Sequence, residues 1–260
     1  MTKQKLEHVL LPLVGFAAVA VGISLFLELN LFMATLLFWG VPAVYLSVVN
    51  RRAIPAALLF SLAAALTFGL MVDYLGFINH VWDTPESIFS YWAFSLIPIE
   101  NPMWSFLYIY IVVMVYECLA NKKPSRPTKR FFWFIAALVL LAVVVHLAAD
   151  RIDALRNIPY LYLSAGLLFF VAPSVLFLAK YPKYLHNFVA TACYMLPIAF
   201  ANEVVGLTLG HWYFPSEADL LGRLSVLGVA IPFEELFFFI VIGPIAILTY
   251  YVCMFKNARE

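Results

Sequence analysis

Between its few charges the chain runs through one apolar stretch after another, each close to the ~20 residues that an α-helix needs to cross a bilayer. In hydrocarbon every backbone N–H and C=O must be satisfied within the protein, so such runs specify membrane helices. Hydropathy and helix breakers place eight of them, over about 8 to 28, 31 to 49, 53 to 72, 103 to 120, 131 to 149, 158 to 179, 186 to 208 and 232 to 255. Eight spans with short connections use up the 260 residues and leave no room for a separate soluble catalytic domain. Composition agrees, with 65% hydrophobic and 12% charged residues, against about half and about a quarter in soluble domains. The predicted fold is therefore all-α, a polytopic membrane helix bundle of about eight transmembrane helices. The basic start, MTKQKLEH, leads into a full-length apolar span without a small-residue cleavage site, which predicts a retained helix rather than a signal peptide.

Charge orients the bundle. Thirteen of the sixteen Lys and Arg residues fall at alternate ends of the eight spans: Lys3, Lys5, Arg51, Arg52, Lys122, Lys123, Arg126, Lys129, Arg130, Lys180, Lys183, Lys256 and Arg259. Only Arg151, Arg156 and Arg223 fall at the other ends. An excess of Lys and Arg marks the cytoplasmic side, so the expectation is a multi-pass protein of the cell membrane with both termini cytoplasmic. The two longer connections, 73 to 102 and 209 to 231, then face outward. They are rich in Trp, Tyr, Pro and acids, which suits functional loops better than linkers. A net charge of +1 provides no polybasic field, so nucleic acid is not an expected partner.

The chain also repeats itself. Shifting by about half its length sets Pro42 on Pro173, Arg51 and Arg52 on the turn at Lys180 and Lys183, Asp73 on Glu203, Trp82 on Trp212, and IPIEN at 97 to 101 on IPFEE at 231 to 235. This predicts two units, 1–124 and 125–260, with a seam near KKPSRP at 122 to 127. Four spans per unit is an even number, so the halves enter the membrane in the same sense, as parallel four-helix repeats about an axis normal to it. A site built by both halves would lie between them.

Each half carries an acid, then Trp, then Pro-x-Glu at the mouth of an apolar helix: Asp73, Trp82, Pro98 and Glu100, and Glu203, Trp212, Pro232 and Glu234 followed by Glu235. Pro and Glu are also ordinary at a helix start, where the dipole favours an anion by about 0.3 to 1 kcal/mol. The recurrence, the paired Glu234 and Glu235 and the wholly apolar sequel point further, to acids held neutral in a dry site where they can act on protons. Around them stand rings that could stabilise a cation, Trp82, Trp104, Trp212, Phe237 and Phe238 among them. An interfacial aromatic belt is the other reading of these residues. The five histidines lack HExxH or a pair at helical spacing, and Cys118, Cys193 and Cys253 are far apart, so no metal site is expected. GxGxxG and GxSxG are also absent. For an enzyme this leaves acid–base chemistry without a cofactor.

The blocks GFINHVWDTPESIFSYWAFSLIPIEN and VVGLTLGHWYFPSEADLLGRLSVLGVAIPFEELFFF resemble the tandem repeat of the membrane lycopene cyclase family of actinobacteria, archaea and fungal fusion enzymes. The resemblance covers most of both halves. It implies an integral-membrane enzyme that cyclises the end of a linear carotene such as lycopene to a β-ring without net redox change. By motif, Glu100, Glu234 and Glu235 would be the catalytic carboxyls, with Glu234 or Glu235 the acid and Glu100 a counterpart base or the acid of a second site. Asp73 and Glu203 join them as acids of the loop pattern. Trp82, Trp212, Asn101, Trp104, Phe237 and Phe238 are expected to line the substrate site, with the carotenoid arriving from the lipid bilayer; a homo-oligomer is compatible with the sequence. The chain departs from the pattern at Asn101, where the family usually has a second acid, and at Asn202-Glu203, where Asp is typical. Other readings are a related carotenoid or isoprenoid hydratase, a lipid-binding protein or a transporter. A prenyl-protein protease would need EExxxR, whereas Glu234-Glu235 is followed by Leu-Phe-Phe-Phe.

Overall fold

A computed structural model describes residues 3–120, 125–149, 151–152, 155–156, 158–215 and 219–257. Lys122, Lys123, Arg259 and part of the seam expected near 122 to 127 lie outside the described residues. Among the described residues, eight helices build the bundle: α1 Lys3–Phe26, α2 Leu31–Val49, α3 Arg51–Ile78, α4 Glu100–Ala120, α5 Lys129–Ala149, α6 Leu161–Lys180, α7 Pro182–Leu209 and α8 Glu235–Met254. Seven are long and apolar enough to cross a membrane, and α1 has a shorter apolar run, Leu10–Phe26. The chain is a multi-pass, all-α membrane protein.

The core centres on α4, whose residues Tyr110 to Cys118 are buried without a break. It packs against α2, α3, α7 and α8. The halves interlock: α1 packs on α7, and α5 packs on α3, so the first helix of each half lies against the third helix of the other. Around this centre, Trp133, Leu140 and Leu147 on α5 and Leu168 and Leu176 on α6 stay exposed, as suits a surface whose solvent is lipid.

Widened π-helical turns occur at matched places. Leu36–Gly40 in α2 comes just before Pro42, and Gly166–Val171 in α6 just before Pro173. A third, Glu235–Ile242, comes just before Pro244 in α8. Proline lacks the N–H of the regular ladder and its ring collides with a carbonyl one turn earlier; an extra residue in that turn moves the carbonyl away. A fourth, Ala65–Gly69 in α3, has no described counterpart in α7, which is α-helical over Leu185–Leu209. Its effect is a change of register. Asn50 and Tyr181, 131 positions apart, share φ −130° and ψ 65°, whereas the matched acids Asp73 and Glu203 are 130 apart.

At one end of the bundle the two long connections each form a short hairpin leading into a helix. Strands β1 Trp92–Ala93 and β2 Ile97–Pro98 precede α4, and β4 Arg223–Val226 and β5 Val229–Pro232 precede α8. Pro98 and Pro232 therefore end strands rather than open helices. The connections meet at Asp83 and Tyr213, which exchange backbone hydrogen bonds of 2.9 and 3.0 Å as an antiparallel pair. These two residues are 130 positions apart, so the axis relating the halves passes between them. At the opposite end β3 Ser125–Pro127 pairs with β6 Phe255–Asn257. There the Tyr251 hydroxyl donates to buried Glu117 at 2.7 Å, and that of Ser125 donates to the same oxygen at 2.9 Å.

Candidate active site

Below the Asp83–Tyr213 pair a cavity of about 240 Å³ opens between the halves, and its lining is almost wholly apolar. Three carboxyls face it: Asp73 from α3, Glu203 from α7 and Glu235 from α8, with Asn101 from α4. Glu203 and Glu235 are 2% and 9% exposed. Burying three acids in an apolar setting is costly unless each is partnered or neutral, and the partners are aromatic N–H and O–H groups.

The Trp212 indole donates to Glu203 at 3.2 Å, and Trp82 hydrogen-bonds Asp73 in the matched way. Each indole lies flat over a glycine, three residues after the acid and six before the Trp. A Cβ at Gly76 would sit 2.3 Å from the Trp82 ring, and one at Gly206 2.2 Å from that of Trp212. Only glycine lets the ring approach closely enough for its N–H to reach back to the acid. Both indoles line the cavity, so they serve the pocket and not only a belt.

Glu235 accepts a very short hydrogen bond from the Tyr162 hydroxyl of α6. Tyr162 in turn stands edge-on to Trp82, with 5.4 Å between ring centroids. The widened start of α8 also frees the Phe239 carbonyl, which accepts from the Tyr108 hydroxyl at 3.2 Å. Asp73 Oδ2 is buried without a protein partner. Trp104, Tyr108 and Phe239 form a packed wall, with Trp104 and Tyr108 stacked at 5.4 Å.

Glu100 and Glu234 are placed elsewhere. Neither lines the cavity, although both are fully buried. Glu100 accepts from the Ile88 N–H at 3.0 Å and lies 2.7 and 2.9 Å from the Ser87 hydroxyl; Glu234 accepts from the Leu221 N–H at 2.6 Å. Each clasps the loop twelve or thirteen residues earlier rather than capping its own helix. Of the expected lining residues, Asn101, Trp82, Trp212 and Trp104 reach the cavity. Phe237 is turned out, 37% exposed and stacked on Phe233, and Phe238 is buried behind Tyr162. Thr84, Phe214 and Tyr162 were not singled out by the sequence motifs, yet all three line the cavity. Tyr162 matches Leu31 in the other half, so no repeated signal marks it.

His211, next to Trp212, is held against the end of α1. Its Nε2 lies 2.7 Å from the Leu29 carbonyl and its Nδ1 is buried without a partner. A carbonyl can only accept, so Nε2 carries the proton of a neutral ring. Burial pushes the His211 pKa down, and the Leu29 hydrogen bond opposes this in part. Among the described residues no group of His, Cys, Asp and Glu could hold a metal ion. Compared with known proteins, the chain matches no family model, no curated protein and no solved structure.

Proposed function

We propose that the chain is a membrane enzyme that closes the end of a linear isoprenoid, a carotene such as lycopene, into a ring by proton transfer without net redox change. The observation that carries this is the gathering of Asp73, Glu203 and Glu235 in one aromatic-walled, apolar cavity. An acid there protonates the terminal alkene. The neighbouring alkene attacks the tertiary cation to close a six-membered ring, and a carboxylate removes an adjacent ring proton. One proton enters and one leaves, so the product is an isomer of the substrate and no cofactor takes part.

The roles follow from hydrogen bonding. An alkene offers no lone pair, so its proton donor must keep one carboxyl oxygen free of protein partners, and Asp73, which is bonded to Trp82 but has an unpartnered Oδ2, meets that need. Glu235 and Glu203 accept from Tyr162 and Trp212, donors that support a carboxylate, and one of the two receives the returning proton. The faces of Trp82, Trp212 and Trp104 stabilise the intermediate cation, and a dry cavity keeps water from trapping it. Sites for whole drug-sized ligands run from about 300 to 1,000 Å³. At about 240 Å³ this cavity suits one end of a long polyene, the remainder lying in the bilayer.

Expression in a lycopene-accumulating bacterial host, with pigment extraction, tests the reading. The expected product has the mass of lycopene and a ring-shortened chromophore, and its formation survives a chelator. A product heavier by one water makes the enzyme a hydratase. Unchanged lycopene beside protein correctly inserted in the membrane rejects the proposal.

A further inference from the structure

The cavity is symmetric at its mouth and one-sided below. Near the loops its lining comes in matched pairs, Asp73 with Glu203, Trp82 with Trp212, Thr84 with Phe214 and Asn101 with Glu235. Deeper in, α3 and α6 line it while the matching stretches of α7 and α2 do not. Phe68, Gly69 and Val72 of α3 do, but their counterparts in α7, Ile198, Ala199 and Asn202, do not. Phe170 of α6 does, but its counterpart Trp39 of α2 does not. The missing residues are packed away, Trp39 and Ala199 with no exposure at all and Ile198 and Asn202 at 2% each.

The reason is a local change of two residues. Asn202 stands where α3 has Val72, and its Oδ1 accepts from two indoles, Trp39 at 3.1 Å and Trp104 at 3.0 Å. Trp39 stands where α6 has the smaller Phe170, and it packs edge-on against Trp104 and Tyr108. A buried amide oxygen satisfied by two fixed donors holds both rings in one orientation, and breaking it would leave buried polar groups unpaired.

We infer that the chain has a single substrate arm, between α3, α4, α6 and α8, and that Trp39, fixed by Asn202, is the plug that closes the arm related to it by the internal symmetry. The open arm runs past Phe68, which faces Phe169 and Phe170 across the junction of α3 and α6 at 5.4 and 6.4 Å. With the reaction proposed above, one arm means that a linear polyene is converted one end at a time. That consequence rests on the proposed reaction, while the arm and its plug rest on packing alone.

The test uses matched positions of the two arms in the full-length chain, with Cys118, Cys193 and Cys253 replaced by alanine. A side chain at Gly69 meets nothing nearer than Ser105 at 3.6 Å, so Gly69→Cys places a thiol at the open arm without a clash. Ala199→Cys places one in the filled arm. In native membranes Gly69→Cys should react with N-ethylmaleimide at least about tenfold faster, because a filled site must first open. Transplanting the plug, Phe170→Trp with Val72→Asn, should protect Gly69→Cys. Removing it, Trp39→Phe with Asn202→Val, should expose Ala199→Cys. Equal labelling at the two positions, or none at either, overturns the single arm, and labelling that ignores both exchanges overturns the role of Trp39. Lycopene conversion is measured in the same membranes. Asymmetric labelling without conversion rejects the reaction and leaves the arm standing.

Discussion

Glu100 and Glu234 each stand one residue before a cavity residue, Asn101 and Glu235, yet their carboxyls turn to loop amides. Substitution should separate the two sets. Asp73→Asn, Glu203→Gln and Glu235→Gln should each keep the protein in the membrane and lower ring formation by about 10² to 10⁴, the range of a positioned acid or base. Glu100→Gln and Glu234→Gln weaken charge-assisted bonds worth about 1.5 to 3 kcal/mol. They should lower thermal stability while leaving the activity of the folded fraction within a few-fold. Rates normalised to membrane protein distinguish the outcomes. His211 adds a pH dependence. Its folded pKa lies below the ordinary 6.5 because the ring is buried, so below that pH the unfolded chain binds more protons than the folded one. Its contribution to stability is whole above about pH 6.5 and is lost as pH falls through the window beneath. Thermal unfolding in detergent should show this slope in the wild type and a flatter one in His211→Gln. At this scale the motif marks Asp73, Glu203 and both tryptophans because they recur, and Glu235 because it doubles the recurring Glu234. It could not mark Tyr162 or Asn202, whose counterparts are Leu31 and Val72, since such differences carry no pattern until the fold sets the halves side by side.

The helices were legible because hydrocarbon imposes one length and one polarity on every span. Their ends were less so: α3 runs to Ile78 and α4 starts at Glu100, so Asp73 and Glu100 belong to helices rather than to the loop between them. The widened turns were not legible, since Leu36–Gly40 and Ala65–Gly69 are ordinary apolar sequence. Only the prolines after three of the turns and the change of register from 131 to 130 hint at them. Gly76 and Gly206 belong to this scale too, since they set how closely a loop indole lies on its helix. Gly76→Ala and Gly206→Ala should each cost about 1 to 3 kcal/mol, as overfilling a packed site does. Each should also shift the tryptophan fluorescence, because the displaced indole leaves its acid. Substitution to alanine at Gly15, where nothing lies within 4 Å, is the control and should neither lower stability nor shift the fluorescence.

For the whole molecule, the charge split sets an orientation that reporter fusions can check. Fusions at the C-terminus and after Ala120 should report cytoplasm, and one within 83 to 90 the exterior; a C-terminus outside would reverse the assignment of sides. The β3–β6 pairing and the Asp83–Tyr213 pair already fix which parts of the chain share an end of the bundle. That last pair has a wider consequence. Two equivalent residues joined by reciprocal hydrogen bonds are what a homodimer forms on its axis, and here both belong to one polypeptide. The molecule is arranged as a dimer with its subunits tethered would be, and the two halves differ, as at Trp39 and Phe170. Among the described residues, the contacts that cross the axis do not include the peptide link between α4 and α5, and β3 is strapped to β6 within the second half. Severing the chain between Ala120 and Ser125 and expressing the pieces together should therefore restore the cavity, whereas two copies of either piece alone should not. Each piece holds acids and rings that the other lacks.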